Sequence, residues 1–269
     1  MSSIEHGNLP IFEKTISKDL SVSYYYSMGT KDITIVLIHG LGTSKEDFLP
    51  ILNYEELTSY DIIFADLVGH GESSTPKDFS YTMDDQAKVL YNLLNILSMK
   101  KEVLIIAHSL GGPIAVSLAE MLGNKVAGII YAEGNIDQGD CFFSEVITTK
   151  HTFKEWKTTG FKEMVDKLLE DPAYQEYVKS FKKAGPITTY KSSQDVYKIS
   201  VEENILKRLV QLSVPVLAIY GENNKGKFTS ESKLSAEFPI CFIPDAEHDM
   251  ILSNPDAFYQ AVIDFLLQF

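Results

Sequence analysis

One serine lies where the local sequence predicts a nucleophile. Ser109 is in the segment Ala107-His108-Ser109-Leu110-Gly111-Gly112, between an apolar run that ends at Ala107 and an apolar helical pattern over 113–122. A strand that turns abruptly into a helix holds one side chain strained and exposed, and only small neighbours such as Ala107 and Gly111 fit there. The context predicts that Ser109 carries out nucleophilic catalysis. The alternative is a surface serine in a glycine-containing loop.

A serine nucleophile needs a base, and His248 is the predicted one. It lies in Glu247-His248-Asp249, just ahead of the last helical pattern. An imidazole can take the serine proton and return it to the leaving group because its pKa is near neutrality. His39 and His70 lie in glycine-rich turns and are expected to brace the backbone, and His108 is expected to point elsewhere. No two histidines have the helical spacing of metal ligands, so we expect no metal site. We also expect no cofactor.

Two further glycine-rich turns complete an ordered set of motifs. His39-Gly40-Leu41-Gly42 follows one apolar run, and Asp66-Leu67-Val68-Gly69-His70-Gly71-Glu72-Ser73 follows the next. With the Ser109 and His248 segments, this order resembles the α/β-hydrolase family over nearly the whole chain. The resemblance implies an oxyanion hole formed by the backbone N–H groups of Leu41 and Leu110, which would stabilise a developing negative oxygen.

The carboxylate that orients His248 has two candidates. In the commoner family arrangement an Asp follows the seventh strand three residues after a glycine, and Gly221-Glu222-Asn223-Asn224 has an asparagine there. Asparagine carries no charge to stabilise an imidazolium. Another family variant carries the acid after the sixth strand, where this chain has Tyr131-Ala132-Glu133-Gly134. The resemblance therefore favours Glu133, with Glu222 as the alternative.

Short apolar runs alternate with helical patterns along most of the chain. This alternation predicts a mostly parallel sheet with helices on both faces, and the resemblance implies the eight-stranded α/β-hydrolase fold. Helix starts are indicated at Thr82, with Asp85 three residues later, and at Asn254 before Pro255. The segment 20–26 is predicted as an early edge strand, and the buried strands are predicted at 33–38, 62–65, 103–107, 126–132, 216–220 and 240–243.

Strand-like runs disappear between residues 136 and 212, where helical periodicity takes over. We therefore predict a core domain formed by 1–135 and 213–269 and a helical cap, or lid, inserted at 136–212. The predicted cap is rich in aromatic residues, which is typical of a largely apolar pocket. These residues are Trp156, Tyr174, Tyr177 and Phe181, and the sequence leaves open which of them face the pocket.

Composition excludes several classes of function. Of the 269 residues, 45% are hydrophobic and 23% charged, as in an ordinary folded protein. A net charge of −13 repels phosphate backbones, so we expect no nucleic-acid partner. No apolar run approaches the ~18 residues of a membrane span, and residues 1–10 lack the features of a leader, so we predict a cytoplasmic protein without a membrane span. Cys141 and Cys241 lack paired spacing and are expected to be free thiols.

Together these features predict a serine hydrolase that cleaves a carboxylic ester or thioester of a small, largely apolar molecule. Ser109, His248 and Glu133 would form the catalytic triad, and the reaction would pass through an acyl-enzyme. One alternative is a catalytically weak ligand-binding protein that kept the fold. Another is a serine hydrolase acting on a lactone, amide or C–C bond. Relatives that open epoxides or displace halides use an Asp nucleophile, so Ser109 argues against both reactions.

Overall fold

A single eight-stranded sheet forms the centre of the molecule, as predicted. The computed structural model describes residues 10–99 and 102–269. Residues 1–9, where we expect no leader, therefore lie outside the described residues. The strand order is β1-β2-β4-β3-β5-β6-β7-β8. Neighbours from β4 to β8 pair in parallel, whereas β2 is antiparallel to both β1 and β4. The strands are β1 Ile11–Ser17, β2 Leu20–Ser27, β3 Ile33–Ile38, β4 Asp61–Ala65, β5 Glu102–His108, β6 Val126–Ala132, β7 Val216–Gly221 and β8 Ile240–Ile243.

The central strands are apolar along most of their length because both faces of the sheet are covered. Successive side chains of a strand point to opposite faces. On β5, Ile105 therefore belongs to one cluster of buried apolar residues and Leu104 to the cluster on the other side. Both side chains are fully buried. Because both faces are buried, these strands lack the alternation of apolar and polar residues seen in half-exposed strands, and their continuous apolar runs allow their positions to be predicted.

The prediction that 20–26 forms the edge of the sheet is wrong. Strand β2 covers this segment, but it pairs with β1 on one side and with β4 on the other. The edge strand on this side of the sheet is β1, whose residues are mostly exposed. A half-solvated edge strand does not need a continuous apolar run, and its sequence, IFEKTIS, therefore did not stand out.

Eleven α-helical segments surround the sheet in the described part of the chain. Both predicted helix starts are confirmed: the Thr82 hydroxyl accepts a hydrogen bond from the Asp85 N–H, and the Asn254 side chain accepts one from the Ala257 N–H. The helices are α1 Glu55–Thr58, α2 Met83–Ile96, α3 Gly111–Leu122, α4 Phe142–Thr149, α5 Phe153–Glu155, α6 Phe161–Leu168, α7 Gln175–Val201, α8 Ile205–Gln211, α9 Thr229–Ser235, α10 Met250–Ser253 and α11 Pro255–Leu266.

Helices α4 to α8 form an insertion between β6 and β7, and α4 packs against α7. Helix α7 bends at Gly185, which has a φ of 72° and precedes Pro186. Proline has no N–H to donate and clashes with the preceding turn, so a straight helix is broken there. The helical character of the insertion is as predicted, whereas the boundaries at 136 and 212 remain a prediction.

Candidate active site

Ser109 lies on a sharp turn between β5 and α3. Its φ is 55°, in the left-handed region that a non-glycine residue rarely adopts. The Ser109 N–H donates to the Ala132 carbonyl at 3.0 Å, and the Ser109 carbonyl accepts from the Gly112 N–H at 2.9 Å. A Cβ at Gly111 would lie 2.5 Å from the Ile38 carbonyl oxygen, so no larger residue fits. The turn therefore has the strained geometry and small neighbours that the sequence predicts.

Glu133 directly follows β6, the strand next to β5, and its carboxylate is buried. The His248 imidazole approaches Glu133 Oε2 through Nδ1 at 2.7 Å. The Gly221 N–H donates to Oε1 at 2.9 Å, and the Asn224 amide donates to Oε1 at 3.0 Å and to Oε2 at 3.1 Å. Burial opposes ionisation of Glu133, but the hydrogen bonds and the His248 charge outweigh it and lower its pKa. Glu222, the alternative acid, is exposed.

Asn224 has a function in this arrangement that sequence reasoning missed. It occupies the position where the commoner arrangement carries the acid, and it donates hydrogen bonds to the carboxylate of Glu133, which follows the neighbouring strand. An amide suits this position because a second carboxylate would repel Glu133. The departure of Asn224 from the common pattern is the sequence signal for this role, but by itself that departure only excludes Asn224 as the acid.

His248 lies in the loop between β8 and α10 and is partly exposed, with 32% of its side chain accessible. Its backbone carbonyl accepts a hydrogen bond from His108 Nε2 at 2.9 Å, and the two rings lie 4.6 Å apart. Burial, followed by the His248 charge, lowers the pKa of His108 to about 3. His108 is therefore a neutral donor that anchors the His248 backbone. This contact was not predicted.

Ser109 and His248 line the same pocket, together with Leu41 and Leu110. Its volume is about 470 Å³, a size typical of small-molecule sites. Among the described residues, the Ser109 hydroxyl makes no hydrogen bond with the imidazole. Such hydrogen bonds are often long in unliganded enzymes and tighten when substrate binds. The structure thus brings Ser109, His248, Leu41 and Leu110 to one pocket, with Glu133 behind His248.

The backbone N–H groups of Leu41 and Leu110 are available to a ligand, since neither donates to an acceptor within 10–99 and 102–269. Leu110 is also the N-terminal cap of α3, where the helix dipole favours negative charge. The Leu41 carbonyl accepts a hydrogen bond from the Tyr177 hydroxyl of the insertion at 3.1 Å. Tyr177 therefore holds the Leu41 turn from the opposite wall of the pocket.

Buried polar side chains brace the turns behind the pocket. His39 Nε2 accepts from the Leu67 N–H at 3.0 Å, and Nδ1 lies 2.8 Å from the Gly40 carbonyl. Burial lowers the pKa of His39 to about 4, so this ring is neutral. The carboxylate of Asp66 accepts from the Lys45 N–H at 2.9 Å and pairs with Lys45 Nζ at 2.7 Å. The expectation that His39 braces the backbone is confirmed.

Half of the cap aromatics named from the sequence face the pocket. Tyr174 and Tyr177 line it, joined by Phe142 and Phe143, which the sequence did not single out. The other two do not line it: Trp156 and Phe181 are fully buried, Trp156 donates to the Thr189 hydroxyl at 3.1 Å, and Phe181 packs against the turn at Gly42. An apolar helix face does not distinguish packing within a lid from packing over a pocket, which explains the mixed outcome.

Across 10–99 and 102–269, no cluster of three or more His, Cys, Asp or Glu side chains is arranged to hold a metal ion. In the same residues, no helix combines the length and apolarity needed to cross a membrane. Cys141 and Cys241 are both free, and burial raises the pKa of the Cys141 thiol to about 11.

Comparison with known proteins places the fold in a family. A family model described as alpha/beta hydrolase fold matches residues 33–166, about half of the chain. Lipase 1 of Psychrobacter immobilis is 26% identical over 226 residues, which is 81% of this chain and 71% of the lipase. Several other curated relatives match over less than half of their own length.

Solved structures of different activities share the fold. A thermophilic esterase from Thermogutta terrifontis is 18% identical, with a TM-score of 0.74 and coverage of 96% of this chain and 98% of the esterase. A bromoperoxidase from Bacillus anthracis is also 18% identical, with a TM-score of 0.75 and coverage of 96% and 100%. Since one fold serves several reactions, this likeness establishes architecture alone. The eight-stranded sheet, its helical insertion and the family match together show that this chain belongs to the α/β-hydrolase superfamily.

Proposed function

We propose that this protein is a serine hydrolase that cleaves the carboxylic ester or thioester of a small molecule. Ser109 is the nucleophile, His248 the general base and Glu133 the acid that orients His248. The backbone N–H groups of Leu41 and Leu110 form the oxyanion hole. The observation that carries the proposal is the contact of 2.7 Å between Glu133 and His248 Nδ1, which leaves Nε2 free to act in the pocket that Ser109 lines.

The reaction takes place in two halves. Ser109 Oγ attacks the substrate carbonyl while its proton passes to His248 Nε2, and the carbonyl oxygen becomes an oxyanion that accepts from the two backbone N–H groups. The bond to the leaving alcohol or thiol breaks as His248 returns the proton to it, leaving an acyl ester on Ser109. Water then repeats the sequence: His248 takes its proton, the acyl bond to Ser109 breaks, and Ser109 regains a proton.

The placement of Glu133 supports this cycle. Because Glu133 accepts from Nδ1, the imidazole is held in the tautomer whose Nε2 can accept the serine proton. The lowered pKa of Glu133 keeps the carboxylate ionised, so it stabilises the imidazolium that forms when the proton is taken. An imidazole placed in this way activates a serine hydroxyl that is a weak nucleophile by itself.

Labelling with a fluorophosphonate probe tests the proposal, since only an activated serine forms the phosphonyl adduct. We expect one adduct on the wild-type protein, mapped to Ser109 by mass spectrometry, and none on Ser109→Ala. Ser253→Ala is the matched control, because Ser253 is exposed and lines the same pocket, and it should still be labelled. An unlabelled wild-type protein would overturn the assignment. A series of nitrophenyl esters of increasing acyl length would then define the acyl group.

A further inference from the structure

The pocket that contains Ser109 is strongly acidic. Five carboxylate residues line it, and no lysine or arginine among the described residues does. Four of the five are exposed at its mouth, whereas Asp140 is held inside by hydrogen bonds from Ser230 and from two backbone N–H groups. None of the five forms an ion pair with another described residue, so their charge is not neutralised locally. The four at the mouth are Asp171, Asp245, Glu247 and Asp249.

Three of these carboxylates, Asp171, Glu247 and Asp249, lie close enough to act on neighbouring groups. Burial, followed by the charge of Asp249, raises the pKa of Asp47 to about 7, although Asp47 lies on a different segment. Burial and then the charges of Asp249, Asp171 and Glu247 raise the pKa of Tyr174. These effects indicate a concentrated negative potential at this end of the pocket, where low-dielectric walls focus the field.

Three aromatic rings form a wall beside these charges. Phe143 and Tyr177 are stacked with ring centroids 5.6 Å apart, and Tyr174 lies 6.3 Å from each of them. All three line the pocket. Aromatic faces attract cations through the ring quadrupole, and they hold quaternary ammonium groups in known recognition sites. An aromatic wall combined with unpaired carboxylates suits a cation better than a neutral alkyl group.

The leaving group is the part of the substrate that would meet these charges. In the proposed reaction His248 donates a proton to the departing alcohol or thiol, so that group must lie beside the imidazole. Glu247 and Asp249 are the sequence neighbours of His248, and Phe142 contacts the imidazole ring at a centroid distance of 5.7 Å. A charge on the leaving group therefore comes close to the acidic mouth of the pocket.

We propose that the enzyme selects esters or thioesters whose alcohol or thiol part carries a positively charged amine or quaternary ammonium group, and that it rejects leaving groups that carry a negative charge. The inference rests on the proposed hydrolase function. Attraction would raise the rate of encounter and stabilise the bound substrate, so the preference appears in kcat/KM and weakens as salt screens the field.

Three thioesters of one short acyl chain test the proposal, with the released thiol as the common readout. The leaving groups are trimethylammonioethanethiol, its neutral isostere with a quaternary carbon in place of nitrogen, and sulfonatoethanethiol. At low salt we expect kcat/KM for the cationic thioester to exceed that for the neutral one by about tenfold, with the anionic thioester slowest. The cationic advantage should shrink when salt is raised to about 1 M.

Charge-removing variants assign the preference to the pocket. Asp171→Asn removes one charge and keeps the side-chain cap on the Ala173 N–H, because asparagine caps as well as aspartate. The double variant with Asp249→Asn removes a second charge. We expect the cationic-to-neutral ratio to fall about threefold with each step. Asp32→Asn is the matched control, since Asp32 is exposed and precedes β3 at the opposite end of the strands, and it should keep the wild-type ratio.

The outcomes separate this inference from the function on which it rests. If none of the thioesters is cleaved faster by the wild type than by Ser109→Ala, the proposed hydrolase function is wrong. If the neutral thioester is cleaved but the cationic one shows no advantage, or if Asp32→Asn lowers the ratio as much as Asp171→Asn, the hydrolase assignment survives and the charge selection is wrong.

Discussion

Replacing Glu133 by Gln changes almost nothing in size but breaks the hydrogen-bonding pattern around His248. Oε1 accepts from the Gly221 N–H and Asn224, and Oε2 accepts from Asn224 and faces His248 Nδ1. A glutamine offers one oxygen and one amide group. If the amide faces Gly221, two donors oppose each other. If it faces His248, Nδ1 must accept, so the ring proton moves to Nε2, which then cannot serve as the base.

Loss of the charge has a separate cost in the transition state. The Glu133 carboxylate would stabilise the imidazolium across charge centres about 4 Å apart, and at an effective dielectric constant of about 20 this attraction is about 4 kcal/mol. Since about 1.4 kcal/mol corresponds to a tenfold change in rate, the charge alone contributes about a thousandfold. We therefore expect Glu133→Gln to lower kcat by at least about a thousandfold, with a smaller effect on KM.

Steady-state hydrolysis of a nitrophenyl ester measures the effect, and circular dichroism checks that the variant folds. Glu222→Gln is the matched control, because Glu222 is exposed, lies near the end of β7 and should change kcat by less than about twofold. The reasoning would be refuted if the kcat of Glu133→Gln were within about tenfold of the wild-type value, or if Glu222→Gln lowered kcat more than Glu133→Gln does. Adding Asn224→Asp to Glu133→Gln should partly restore kcat, because the side chain of residue 224 already lies against the site of the Glu133 carboxylate.

Three further expectations follow from the contacts described above. Tyr177→Phe removes the hydrogen bond to the Leu41 carbonyl, so kcat should fall about fivefold at constant KM, and an unchanged kcat would mean that the lid does not position this turn. Between about pH 4 and about pH 7, Asp47 is protonated in the native protein but ionised in the unfolded chain, because its pKa is raised on folding. The stability of the native protein therefore falls as pH rises through that window. Asp47→Asn should therefore raise Tm by about 10 °C at pH 8 but not at pH 4, and an equal shift at both would contradict this origin. Asn254→Ala removes the cap of α11 and should cost about 1 kcal/mol in urea unfolding, whereas Asn254→Asp should not.

Features set by short stretches of sequence could be predicted. The strand at 33–38 has the predicted limits, and the sharp turn at Ser109 follows from its small neighbours. Thr82 and Asn254 cap their helices because a cap depends on residues three positions apart. Strand β1 escaped prediction because an exposed edge strand lacks the apolar run that marks a buried one.

The contacts that complete the site join distant parts of the chain. Asn224 is 91 residues from Glu133, Tyr177 is 136 from Leu41, and His108 is 140 from His248. No local pattern links such pairs, since they meet only when the sheet and the insertion pack. A resemblance to a family arrangement favours the acid after β6, but only the side-by-side placement of the carboxyl ends of β6 and β7 reveals its partner Asn224.

The three residues of the proposed triad differ in how firmly the backbone holds them. Ser109 and Glu133 directly follow adjacent strands that pair at His108 and Ala132, so their spacing is fixed by the sheet. His248 belongs to a loop that is fastened through its carbonyl and its ring. Local opening of such a loop requires less free energy than melting of the sheet. Gentle heating should therefore abolish turnover while the far-ultraviolet circular dichroism is still native. Cooling should restore turnover as His248 returns to its place.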